Sequence, residues 1–535
     1  MTTATPARPD TRSAPGSVTG RRTPPLLLAA GVAVAVLALI PLAYVATYVV
    51  VIGPVELWQL VARPRIVELL RNTITLAAAC MAATAVLGVG LAFLVERTDL
   101  PGRRVWHGLL VAPLAVPAFV NGYAWVSLDR SVHGFAGAFG VVTLSYYPLV
   151  YLPVVAMLRR LDPALEESAW SLGHSRARTF RTVVLPQLRP ALLGGALLVG
   201  LHLLAEFGAL SLLRFPTFTT AIYDQYGSTF NGAAATAMAG VLVLLCLVLL
   251  LADLRLRGDR RYARVGRGAA RSVVPVPLGP WRLPVLATVG AVVGLAVGVP
   301  AISLVRWLVV GTSTQFPLAE LTEALVATVA LALAGAVVTT LAAIPVVWLA
   351  VRHRGRLSTL IERSTYVANA LPGIVVGLAL VVASLRLVPV VYQTATLLVA
   401  AYAILFLPRA VVTVRAGLEQ APVVLDDVAH SLGLGPIATA RRVTLPLIAP
   451  SLGAGAALVF LAISTELTAT LMLSPIGTRT LATEFWSASS ELRYGAAAPY
   501  ALLLVLVSIP ATVLLMRTDG PAAQAEDGVV PGGPA

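Results

Sequence analysis

An all-α polytopic membrane protein, with about twelve transmembrane helices in two homologous six-helix halves, is the fold this sequence predicts. Three observations predict it. The 535 residues are 58% hydrophobic and 12% charged, too apolar for a soluble chain of that length. The apolar residues fall in blocks of roughly 20 or more, long enough to cross a hydrocarbon core as helices. A polar pattern lying between such blocks occurs twice, 260 residues apart. Backbone in hydrocarbon must satisfy its own hydrogen bonds, so helices are expected, and the alternation of a membrane barrel is absent.

The first six spans are expected near 26–51, 73–96, 107–127, 135–158, 191–213 and 235–253. The second six are expected near 284–310, 325–351, 365–384, 391–414, 451–474 and 497–516. Residues 1–25 read as a disordered cytoplasmic tail, and residues 517–535 as a second tail. Four arginines precede the run from Leu26 to Val51, as in a signal peptide. That run is longer than a signal core and lacks a clear cleavage site, so it reads as the first span. The first half covers 26–254, with a core at 70–254, and the second covers 284–516, with a core at 323–516.

Residues 255–283 read as a basic cytoplasmic linker, with Arg255, Arg257, Arg260, Arg261, Arg264, Arg267, Arg271 and Arg282 among Gly and Pro. The net charge of +14 comes from arginine alone, because the chain has no lysine. With the N-terminus inside, most arginines fall in cytoplasmic segments, as the positive-inside rule requires. Arg63, Arg65 and Arg71 are the main exceptions. An even number of spans returns the C-terminus to the cytoplasm. The basic charge therefore sets topology; no basic patch interleaved with aromatics points to nucleic acid.

Without lysine the chain cannot build a phosphate-cradling P-loop or a Schiff base. Cys80 and Cys246 lie inside expected spans as packing residues, not as a disulfide framework. No nucleophilic triad, catalytic carboxylate pair or metal-ligand spacing emerges, so neither enzyme activity nor a cofactor is expected.

The repeat sets the functional reading. Glu167-Ser168-Ala169, Gly173, Leu185-Pro186 and Pro190 recur as Asp427-Val428-Ala429, Gly433, Leu445-Pro446 and Pro450. At an offset of 255, Thr73 matches Thr328, Pro117 matches Pro372 and Gly122 matches Gly377. At 260, Glu206 matches Glu466 and Thr220 matches Thr480. Two halves with an even number of spans form a parallel repeat about an axis normal to the membrane. Within the motif, Leu165, Ala169, Leu172 and Phe180 form a potential apolar stripe on a helix along the membrane. Gly173 permits a turn, and Pro186 and Pro190 mark a break and the start of the next span. A duplicated polar helix of this kind is a docking device for an outside partner.

The motif resembles the cytoplasmic signature loop of the permease subunits of bacterial ABC importers: Glu-Ala-Ala, three residues, Gly and a distal Pro. The resemblance implies that Glu167, Ala169, Gly173 and Pro186, with Asp427, Ala429, Gly433 and Pro446, form loops that couple to two copies of a separate ATPase. Ser168, Val428 and Asp427 depart mildly from the pattern. The segments Glu206–Ala209, Arg214–Tyr223 and Glu466–Leu471, with Thr480–Thr483 and Trp486, resemble the fused permeases of ferric-iron importers. The resemblance implies an extracytoplasmic substrate-binding protein, a place in the bacterial plasma membrane among its lipids, and import of ferric iron. Thiamine or another small nutrient, or an ion-gradient secondary transporter, are the alternatives.

Glu206 and Glu466 are the candidate substrate-path residues, because carboxylates inside spans are costly and usually face a cavity or a partner. Hard oxygen ligands suit ferric iron; capping or bracing a neighbouring helix is the structural alternative. His202 lies one helical turn from Glu206 and could hold its carboxylate or assist a metal. The loop Arg214–Asn231, with Tyr223, Asp224, Tyr226 and Phe230, is expected outside, either solvated or docking the binding protein.

Overall fold

Proline in the first helical turn opens span one (Pro25–Ile52) and span two (Pro64–Arg97), where its missing N–H costs nothing. The computed structural model describes residues 24–229, 232–257, 275–311, 314, 316–353, 355–368 and 370–518. Residues 1–23 and 519–535 of the tails, Phe230, Asn231 and the linker arginines from Arg260 to Arg271 lie outside the described residues.

Nine described helices are long and apolar enough to cross a membrane. The remaining expected windows hold two bent helix pairs and the helix Tyr494–Thr518. Each window thus has its helix or helix pair, but two windows do not hold a straight span. Arg103–Ala115 turns by 92° into Ala118–Leu128, and Arg356–Ala368 turns by 108° into Gly373–Leu387. Pro117 and Pro372 stand at the bends as N-caps of the second members, since a proline's ring and missing N–H disfavour a continuous helix.

Within the first half, spans two, four (Gly134–Arg160) and five (Arg176–Ala205) meet around Val150. A Cβ on Gly88 would lie 2.8 Å from Val150 Cβ, and one on Gly195 would lie 2.7 Å from Val150 Cα. Only glycine allows these helices to approach so closely, the usual role of small residues between membrane helices.

The first span of each half packs on the other half. Span one lies along span eight (Leu318–Arg352) and the helix Arg356–Ala368, with Gly31 against Leu349 and Ile361. Span seven (Gly279–Val310) lies on Ala118–Leu128, where the Ser303 and Ser127 hydroxyls are 2.9 Å apart, and on the last helix.

The Gly spacing in the two signature loops produces the same local structure twice. Helices Pro163–Ser171 and Val423–Ser431 each end in a glycine with positive φ, +81° at Gly173 and +84° at Gly433. His174 N–H returns to Ala169 O and Gly173 N–H to Trp170 O; Leu434 and Gly433 repeat the bonds to Ala429 O and His430 O. This is a Schellman ending, which places a left-handed residue where glycine is favoured.

Pro186 and Pro190 do not break the chain as the sequence suggests. Span five runs on through a π-turn at Phe180–Val184, and span eleven (Pro436–Ser464) through one at Ala440–Thr444. The wider turn accommodates the proline that follows each, without a separate second helix.

Candidate functional site

Each signature loop presents an exposed acid and holds an alanine inward. Glu167 and Asp427 are exposed, while Ala169 and Ala429 are buried. The acids that anchor the loops are the residues before them. Glu166 Oε1 lies 3.0 Å from Arg97 Nη2, and Asp426 Oδ2 lies 3.3 Å from Arg352 Nε. Sequence reasoning missed both pairs, although their offsets, 255 for the arginines and 260 for the acids, are those of the repeat. Burial holds the Glu166 carboxyl above the usual range, and the Arg97 charge opposes that shift.

The apolar stripe differs from the one expected. Ala169 is buried and Phe180 half-buried, but Leu165 is exposed, as are Trp170 and Leu172 (79%). In the second loop Val424, Val428, Leu432 (77%) and Ile437 are exposed. The helices therefore offer apolar side chains outward beside an exposed acid. Gly173 and Gly433 are exposed, and a Cβ added at either would have nothing within 4 Å. Pro186 and Pro446 each sit at the second position of the straight segment after the π-turn.

Glu206 and Glu466 lie one and two residues past the ends of spans five and eleven, which stop at Ala205 and Ser464. The expected windows 191–213 and 451–474 ran on because the next residues are apolar. Those residues form separate short helices, Gly208–Leu212 and Thr468–Leu473. Glu206 Oε1 accepts the Ala209 N–H at 2.9 Å, and Glu466 Oε1 accepts the Ala469 N–H at 2.9 Å. Each carboxylate thus caps the first turn of a buried short helix, an N-terminal position that favours negative charge. Gly373 leaves room for this, since a Cβ there would lie 3.0 Å from Glu466 Oε1.

The two caps differ in one partner. Tyr146 donates its hydroxyl to Glu206 Oε2 at 2.6 Å; the matching position is Phe406, which has no hydroxyl. Tyr146, and not His202, holds the first carboxylate. His202 Nδ1 pairs with Leu198 O at 2.8 Å, and its ring lies 5.6 Å from that of Tyr146. A cavity of about 10 Å³, the size of one water, adjoins Glu466 between Thr328, Tyr402 and Thr480. Among the described residues no three metal-ligating side chains come together.

The stretch after Glu206 is not a plain loop. Phe218–Gly227 is a helix with Phe218, Thr219, Thr220 and Ile222 buried. Tyr223 packs on Phe207 at 4.5 Å, and Phe207 packs on Trp486 of the other half at 4.9 Å. Asp224 is exposed and Tyr226 half-buried. Thr480 takes the place of Thr217, not of Thr220: Phe218 N–H meets Thr73 Oγ1 at 3.3 Å, and Leu481 N–H meets Thr328 Oγ1 at 2.9 Å. Thr220 and Thr483 then receive the N–H groups of Thr217 and Thr480. Three extra residues in the second half, before Thr480, shift the register.

Comparison with known proteins matches both halves to one family. The family described as "binding-protein-dependent transport system inner membrane component" matches residues 84–261 and 335–518. The Fe(3+)-transport system permease protein FbpB 2 of Haemophilus influenzae is 40% identical over 480 residues, 89% of this chain and 95% of the relative. The chain belongs to this family.

The ferric transport system permease protein FbpB of Actinobacillus pleuropneumoniae is 24% identical over 85% of this chain and 72% of its own length. The sulfate transport system permease protein CysT of Salmonella typhimurium is 32% identical over 36% of this chain and 78% of its own. As a member the protein is a multi-pass inner-membrane permease of an ABC importer, resembling the fused ferric-iron permeases, and is not itself an enzyme. Its family works with a substrate-binding protein and an ATPase.

Proposed function

We propose that this permease forms the whole membrane path of an importer for ferric iron. The observation that carries the reading is the 40% identity, across nearly the full length of both chains, to a relative named for Fe(3+) transport. In this reading two copies of the ATPase dock on the loops at Gly173 and Gly433, and a binding protein delivers cargo from outside. The halves 26–254 and 284–516, joined by the linker 255–283, rock between two states with both termini in the cytoplasm and lipid around the spans.

The docking assignment is supported by two loops of one design. Each offers an exposed acid, Glu167 or Asp427, beside exposed Leu172 or Leu432. A partner that drives rocking must contact these faces differently in the two states, since equal binding shifts nothing.

The test is uptake of radiolabelled ferric iron by a strain lacking this chain, with and without the restored gene, and with labelled sulfate run in parallel. Restored iron uptake is expected. Restored sulfate uptake with no change in iron would move the cargo to the oxyanion that the sulfate permease relatives are named for.

A further inference from the structure

One charged side chain in the core of the second half has no counterpart in the first. Arg409 lies within span ten (Ala395–Gln420), is exposed, and stands between buried Pro408 and Ala410. The matching position in the first half is Leu149. The guanidinium carbon lies 5.2 Å from the Phe406 ring, the residue that replaces the Tyr146 donor. It lies near enough to act on Glu466 of its own half and on His202 of the other, which places it where the two halves meet.

The two carboxylates beside it are already engaged. Glu206 receives Tyr146 and Ala209, and Glu466 receives Ala469. Among the described residues Arg409 has no carboxylate at ion-pair distance. Negative charge here is turned into the protein, and the group left to meet a passing solute is a cation. A bare multivalent cation would be repelled by it, whereas an anionic oxygen ligand would find a planar set of N–H donors.

We infer that Arg409 is a cargo-contacting residue that takes an anionic oxygen group, so that the cargo crosses with an oxyanion or carboxylate attached. This rests on the path proposed between the two halves. The oxygen group is either a ligand carried on ferric iron or a free oxyanion.

The test uses the full permease reconstituted with its ATPase and binding protein. It measures entry of labelled ferric iron supplied with labelled phosphate or labelled citrate, and of labelled sulfate alone. For the wild type, iron and one labelled anion are expected to enter together. Arg409→Gln is expected to cut entry by about tenfold or more, as loss of a charge-assisted contact does, with partial recovery in Arg409→Lys. ATP hydrolysis without cargo and the amount of protein in the membrane should stay level, which separates contact loss from misfolding.

Three outcomes overturn the inference: iron entering without a labelled anion, Arg409→Gln transporting normally, or full recovery in Arg409→Gln/Glu466→Gln. The last would make Arg409 only the counterion of Glu466. Sulfate entry without iron entry would overturn the iron reading instead, and the Arg409 variants would then be scored on sulfate.

Discussion

Arg97 at the end of span two holds Glu166 in the first signature loop at 3.0 Å, and Arg352 at the end of span eight holds Asp426 in the second at 3.3 Å. The same arginines donate to the backbone at Leu158 O and Ala421 O, at or beyond the ends of spans four and ten. One side chain thus ties three elements together in each half. The pairs are buried, with side-chain exposures of 4% and 12% in the first and 9% and 9% in the second.

Breaking one of these pairs leaves a buried charge alone, which in comparable cases costs about 3–5 kcal/mol. Arg97→Ala and Arg352→Ala should each lower the melting temperature and reduce transport per ATP hydrolysed. Arg65→Ala, at the exposed Arg65–Glu68 pair, should do neither. The exchanged pair Arg97→Glu/Glu166→Arg should recover part of the loss. Equal stability of the Arg65 and Arg97 variants would count against the anchor.

Glu166 also gives a pH dependence. Its carboxyl is raised, chiefly by burial, so the folded protein holds this proton more tightly than the unfolded chain does. Its contribution to stability is therefore full in acid, below about pH 4.3, and falls as pH rises through the raised value. Melting curves of Glu166→Gln should lack that part of the slope. An identical pH profile for wild type and variant would refute the assignment.

At Gly173 and Gly433 the cost of a side chain is conformational, not steric, because φ is positive and the space is open. Asparagine, which tolerates this region, should cost little, and valine about 1–2 kcal/mol or more of local strain. The double Val variant should remain in the membrane, lose ATPase association and fail to transport. Full transport by it would remove these loops from coupling.

The caps at Glu206 and Glu466 predict a graded series. Glu206→Gln keeps an oxygen for the Ala209 N–H and should fold well. Glu206→Ala loses the Ala209 cap and the Tyr146 bond together, so it should cost more than the cap's about 1 kcal/mol and more than Tyr146→Phe. Tyr146→Phe recreates the pattern found at Phe406, and its melting temperature should fall only in proportion to one hydrogen bond to a carboxylate, about 1.5–3 kcal/mol.

Gly195 and Gly455 match in sequence but not in surroundings. A methyl on Gly195 meets Val150 Cα at 2.7 Å and Leu149 O at 2.8 Å, which are backbone; one on Gly455 meets Thr413 Oγ1 at 2.5 Å, a side chain that can turn. Gly195→Ala should therefore lower folded yield much more than Gly455→Ala, measured by monodispersity after extraction.

The sequence by itself determined the all-α membrane class, the division into two halves and the two signature loops. These follow from apolar length, from the arginine bias and from a repeat at fixed offset, all of which are properties of local chain. It also placed Glu206 and Glu466 near one another in role, since they share the 260-residue offset. Only the tertiary structure decided what those carboxylates do. Capping depends on a helix break at Ala205 and Ser464 inside a largely apolar stretch, which hydrophobicity does not mark. The structure likewise decided that Glu166 and Asp426 anchor the loops, that Thr480 stands for Thr217, and that each half's first span crosses to the other. Those relations join residues tens to hundreds of positions apart, where burial and partner geometry, not neighbouring sequence, set the free energy.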